Sequence, residues 1–163
     1  TGQISASGVT GEAKDSEVVV VEGKNSATLT DSTVTSNGKK AVMLYQSFSG
    51  DAHDKESTAT RSTFTMTNTK LTANGADAVL YATNTTTSAT LTNVEVTSSA
   101  SVGVKADEDR WGKSGSNGAT LHLTLDGTTI TGGATAGSSS AITIASANGG
   151  TVEGEVSGSV TNS

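Results

Sequence analysis

The chain contains no cysteine and no proline, and only five of its 163 residues are aromatic. Without cysteine there is no disulfide scaffold, no thiolate-bound zinc or iron–sulfur cluster and no thiol nucleophile. Without proline a collagen-like rod is excluded. Basic residues are scarce, ten Lys and Arg against sixteen Asp and Glu, for a net charge of −6. Phosphate contacts need clustered cations, so nucleic acid is not an expected partner. Long apolar runs are also missing. Val18 to Val21 is four residues and no run exceeds five, far short of a transmembrane segment. The opening Thr1-Gly2-Gln3 has no basic stretch followed by an apolar one, so a signal peptide is expected to have been removed or to lie outside this sequence.

What the chain has instead is Thr, Ser and Gly: 29, 23 and 19 residues, against 33% hydrophobic residues that are mostly aliphatic. That composition fits either a disordered polar stalk or an all-β protein of many short Thr-rich strands. Positional order separates the two. An apolar pair five residues apart recurs as Ile4/Val9, Leu29/Val34, Met66/Leu71, Leu91/Val96 and Leu125/Ile130. The first members are 25, 37, 25 and 34 residues apart, a basic period of 25 with two lengthened units. A third apolar patch follows each pair: Val18–Val21, Val42–Tyr45, Val79–Tyr81, Val102–Val104 and Ile142–Ile144. A weaker sixth unit starts near Val152 and Val156.

Three short strands per unit fit this pattern. Such strands cannot bury a face alone, but stacked units give each one parallel partners about 4.8 Å away and a continuous apolar interior. The expected fold is therefore all-β, a right-handed parallel β-helix of about five to six coils, forming a single domain over residues 1–163. Columns of like residues agree with stacking. Thr10, Thr35, Thr72, Thr97 and Thr131 follow the second pair member, and Gln3, Thr28, Thr65, Thr90 and Thr124 precede the first. Two residues after the first stand Ala6, Asp31, Asn68, Asn93 and Gly127, mostly bend formers.

With Thr-Leu-Thr at 28–30 and 90–92, Asn-Gly turns, and the strands Ala-Val-Met-Leu-Tyr (41–45) and Ala-Val-Leu-Tyr (78–81), the sequence resembles the parallel β-helix proteins of bacterial surfaces. These are the pectin-lyase-like superfamily, with its adhesins and autotransporter passenger domains. The likeness spans about Gln3 to Val160 and implies an extracellular or cell-surface location. It specifies architecture far better than function, because the superfamily holds both enzymes and binding proteins.

Function must then come from the insertions. Both lengthened units carry their extra residues between the third patch and the next first member. Loop one spans 46–61 and loop two 105–118, and together these 30 positions hold 11 of the 26 charged residues and the only Trp. Insertions at one corner of a solenoid project from one face, often the binding face. The turn 82–87 between them is expected to floor a notch. The candidate ligand-binding residues are Asp51, His53, Asp54 and Arg61 of loop one, Asn84 of the turn, and Asp107, Asp109, Arg110 and Trp111 of loop two. An aromatic ring beside carboxylates and Arg suits a sugar, whose C–H face packs on the ring. The expected function is an adhesin-like, non-catalytic module whose partner is a glycan or a host or bacterial surface protein.

Other classes fare less well. Polysaccharide hydrolysis needs converging carboxylates, yet Asp31, Glu95 and Asp126 fall in different columns. The β-helix lyases that the resemblance brings in need calcium-binding acids and a basic residue on the strands, where Lys70 stands alone. No cofactor is expected. Asp107, Glu108 and Asp109 have oxygens for calcium but no EF-hand spacing, and His53 and His122 show no zinc pattern. Repeated Thr-x-Thr at 28–30, 65–67 and 90–92 resembles the arrays of ice-binding solenoids, an alternative beside the polysaccharide-degrading enzyme. The ends of an open β-helix expose strand edges, which suits either a fragment of a longer surface protein or self-association through coil ends.

Overall fold

The computed structural model describes residues 2–47, 60–75, 77–112 and 117–163; of Thr60 and Arg61 only the backbone is described. Among the described residues the regular structure is entirely β. Coil one comprises β1 (Gln3–Ser7), β2 (Thr10–Ala13) and β3 (Val19–Glu22), and coil two β4 (Ser26–Thr30), β5 (Thr33–Ser36) and β6 (Lys40–Tyr45). Coil three holds β7 (Thr60–Thr67), β8 (Lys70–Ala73) and β9 (Ala78–Thr83); coil four β10 (Thr85–Thr92), β11 (Glu95–Ser98) and β12 (Val102–Ala106). Coil five has β13 (Ala119–Asp126), β14 (Thr129–Thr131) and β15 (Ala134–Ala136). Coil six has β16 (Ala141–Ala147), β17 (Thr151–Glu153) and β18 (Val156–Ser157), and β19 (Val160–Asn162) follows.

Every ladder is parallel and joins strands three places apart in the chain, as a parallel β-helix requires. The first sheet runs β1-β4-β7-β10-β13-β16-β19 and the third β3-β6-β9-β12-β15-β18. The second is divided into β2-β5-β8-β11 and β14-β17. Inward residues stack in vertical lines, such as Leu29, Met66, Leu91 and Leu125. The bulky Phe64 is flanked by Ala27 and Ala89 in its line, so large and small side chains alternate to fill the interior.

The bend column holds in coils two to five. Asp31, Asn68, Asn93 and Gly127 have φ of 52°, 49°, 50° and 57°, the left-handed region that Asn, Asp and Gly enter most readily. Their N–H groups donate to Thr67, Thr92, Asp126 and Ala147 of the next coil at 2.9–3.0 Å. The hydrogen-bond ladder therefore crosses this first corner without a gap. Just after the bend, the Thr128 hydroxyl accepts from the Val94 N–H at 3.1 Å, and Ser32 does the same for Val9 at 3.0 Å. Those hydroxyls satisfy backbone donors that no strand reaches, the Val94 N–H at a buried position.

Three assignments need correction. In coil one the bend residue is Gly8, φ 67°, and Ala6 lies under Leu29 with Gly11 under Val34. The pair Ile4/Val9, and with it Gln3 and Thr10, lies two residues ahead of the stacked position, a shift that keeps every side chain on its own face and so leaves the alternation unchanged. Ile142–Ile144 lies in β16, paired with Leu121 and Leu123, and opens coil six. The actual third strand of coil five, Ala134–Ala136, has only small residues, so an apolar count passes over it. Val152 and Val156 then belong to the second and third strands of coil six.

Candidate functional site

Alternation along β6 sends Val42 and Leu44 into the core, which leaves Met43 and Tyr45 on the outer face of the third sheet. Tyr81 stands above Met43 in the same line. Apolar and aromatic side chains on an outer face need cover, and loop two supplies it. Met43, Ala78 and Tyr81 form a second buried cluster, with Tyr45, Val102 and Trp111 packed against it. Trp111 meets Tyr45 with ring centroids 4.8 Å apart at 57°, a tilted aromatic contact. The Arg110 guanidinium lies 4.6 Å from the Trp111 ring centroid.

Polar contacts fix the same segment. The Tyr81 hydroxyl donates to Asp109 Oδ2 at 2.7 Å, while Asp109 Oδ1 accepts from the Arg110 N–H at 2.6 Å. Burial first, then the Asp109 carboxylate, pushes the Tyr81 phenol well above the ordinary tyrosine range. Beside it, Asp77 bridges two coils, with Lys40 Nζ at 3.1 Å and Lys105 Nζ at 3.5 Å. Burial alone would raise the Asp77 carboxyl, but the two ammonium groups outweigh it and hold it below the usual aspartate value. Lys40 Nζ also sits 4.7 Å over the Tyr81 ring.

Against this assembly lies a groove of about 340 Å³, lined by Glu17, Lys39, Lys40, Met43, Asp109, Arg110 and Trp111. A second cavity of about 420 Å³, at the first coil, is lined by Ile4, Val20, Val21 and neighbours and carries no comparable set of polar groups. Of the sequence candidates, Asp109, Arg110 and Trp111 come together at the groove. Asp107 turns away, its Oδ1 accepting from the Glu108 N–H, and Glu108 Oε1 accepts from the Ser139 hydroxyl. The three acids of 107–109 thus do not converge, and among the described residues no group of three or more His, Asp or Glu is placed to hold a metal.

Asn84 is fully buried, at φ 51°. Its Nδ2 donates to the Gln46 carbonyl at 2.6 Å and the Trp111 carbonyl at 3.3 Å, so it ties the base of loop one to the body of loop two. Thr83 and Thr85 beside it are also buried. The turn that was to floor an open notch is covered. Asp51, His53 and Asp54 lie outside the described residues, as does the side chain of Arg61.

The sequence reading missed Tyr45, Tyr81, Lys40, Lys105 and Asp77. Val-Met-Leu-Tyr and Val-Leu-Tyr look like core strands by composition, although the two-residue period itself sends Met43, Tyr45 and Tyr81 to the far face. The strand-body acids are dispersed: Asp31 at the first corner, Glu95 exposed on the second sheet, and Asp126 on the first sheet, where it accepts from Asn148. Compared with family models, curated proteins and solved structures, the chain matches none.

Proposed function

We propose that this chain is a non-catalytic recognition module of bacterial-surface type, adhesin-like and extracellular, whose partner, a glycan or a surface protein, docks at the groove beside Trp111. The observation that carries the reading is the anchoring of residues 109–111 of loop two. Asp109 is held to Tyr81 by a hydrogen bond and Trp111 to Tyr45 by a ring contact. Arg110 lies over the Trp111 ring and bonds Asp109 through its N–H, and all three line the groove. A loop ordered before binding loses less entropy when a partner arrives. A hydrolase would need carboxylates that converge, and the strand-body acids stand on different faces. Glycan-array binding and pull-down from cell-surface extracts test the reading, with Trp111→Ala and Arg110→Ala as site variants. Binding should fall at least tenfold in both; equal binding by both variants removes the groove from the argument.

A second reading has one observation in its favour. Thr28, Thr65, Thr90 and Thr124 are in register on the first sheet, as are Thr30, Thr67 and Thr92. Such ranks of methyls and hydroxyls could order water at an ice surface. The rank ends at Ser5 and Ser7 below and at Ala145 and Asp126 above. Thermal hysteresis that vanishes in Thr65→Lys and Thr90→Lys would support this reading, and none in the parent protein would end it.

A further inference from the structure

The Trp111 ring is not a bare platform. Arg110 stacks on it and Tyr45 packs against it, so a neutral sugar that relies on ring stacking finds the ring already engaged. What the groove presents instead is the guanidinium. A guanidinium lying on an aromatic ring keeps its in-plane N–H groups free, in a fork that matches carboxylate or sulfate oxygens in pairs. No carboxylate in the described residues takes that fork: the neighbouring Asp109 uses one oxygen for the Arg110 backbone N–H and the other for Tyr81. Lys39 adds a second cation on the groove wall, exposed and without an ion pair among the described residues. Lys40 is engaged with Asp77, and Glu17 is the lining acid that remains. These features stand out on a chain with a net charge of −6.

We infer, resting on the groove reading above, that the ligand is an anionic saccharide and that Arg110 receives its carboxylate or sulfate group. Arg110 is the fork, Lys39 an accessory point charge, and Met43 with the Trp111 edge the apolar wall. Stacking restricts the Arg110 side chain beforehand, which reduces the ordering cost of the contact.

Trp111 is the only tryptophan in the chain, so its fluorescence reports on this groove alone. The intact protein is titrated with oligogalacturonate as the carboxylated probe, a heparin oligosaccharide as the sulfated probe, and maltohexaose as the neutral one. At least one anionic probe should shift the emission and bind at least tenfold tighter than maltohexaose. Its affinity should fall severalfold between 50 and 300 mM salt, as expected of an exposed charge contact whose screening length shrinks from roughly 14 to 6 Å across that range. Arg110→Lys keeps the charge but loses the fork and should weaken binding about tenfold, while Lys39→Ala should weaken it about threefold. The carboxylated and sulfated arms show which anion the fork prefers. The inference is overturned by salt-independent binding of maltohexaose at equal strength, by full affinity in Arg110→Lys, or by no emission change with either anion at millimolar concentration. Equal-strength maltohexaose binding that still depends on Trp111 would overturn the anion while leaving the groove standing. Partner capture unaffected by Trp111→Ala would remove the groove itself.

Discussion

The first corner of each coil and the third differ in what they tolerate. At the first corner the same one-residue bend recurs from Gly8 to Gly127, with Asp31, Asn68 and Asn93 between, and a backbone hydrogen bond passes to the next coil each time. At the third corner the connection ranges from the single residue Asn84 to the intervals 46–59 and 107–118. Stacking requires one corner to hold the register, since a slip there would misalign both sheets that meet at it. Once one corner does so, the other is free to grow. Variation, and with it the chemistry of loop two, collects where the ladder does not depend on it.

The contrast is sharpest at Thr128. Replacing it by Val keeps the shape but leaves the Val94 N–H without its acceptor, at a buried position. The expected cost is about 3 kcal/mol, or a fall in Tm of roughly 10 °C, read by calorimetry. A fall under about 3 °C would mean the fixed corner is not held by its hydroxyls.

Asn84 tests the variable corner. Asn84→Ala loses the amide bonds to Gln46 and Trp111 and puts at φ 51° a residue that enters the left-handed region less readily than Asn, for about 2 kcal/mol in all. Asn84→Gly relieves the backbone but not the amide, and should recover about half of that loss while leaving Trp111 emission red-shifted. Full recovery of both stability and emission in the Gly variant would show that the amide does not tie the loops.

Tyr81→Phe removes the hydroxyl that holds Asp109 and should cost about 1–2 kcal/mol, measured by urea unfolding. It also alters the alkaline limb. The native phenol is raised above its ordinary value of 10.0, so its share of stability is complete below pH 10 and is lost as pH rises past that value. The Phe variant should lack this part of the decline, and identical alkaline limbs would argue against a raised Tyr81 phenol.

The smallest effect belongs to Asp77. Its carboxyl is held below 3.8 by Lys40 and Lys105, so its contribution is present above that pH and fades as pH falls through the lowered native value. Partial exposure limits it to under about 1 kcal/mol. Asp77→Asn should match the parent at pH 2 and fall slightly below it at pH 6.

Much of the coil was legible because stacking writes itself into composition at fixed intervals. The bend column Asp31, Asn68, Asn93 and Gly127 could be read because a left-handed backbone admits few residue types. Coil one was read two residues out because Ile4 and Ala6 share a face, and β15 was passed over because Ala134 and Ala136 carry no large side chain. The site was half legible. Loop two stood out by its charge, whereas Tyr45 and Tyr81 looked like core residues in an apolar run.

Period, strand count and the corner that takes insertions follow from order along the chain, since each depends on near neighbours and a repeat distance. Where loop two comes to rest does not. Its resting place depends on Trp111 meeting Tyr45, 66 positions earlier, and on Asp109 meeting Tyr81, 28 earlier. Coiling brings those residues to one face, and burial of an otherwise wet aromatic patch holds the loop there.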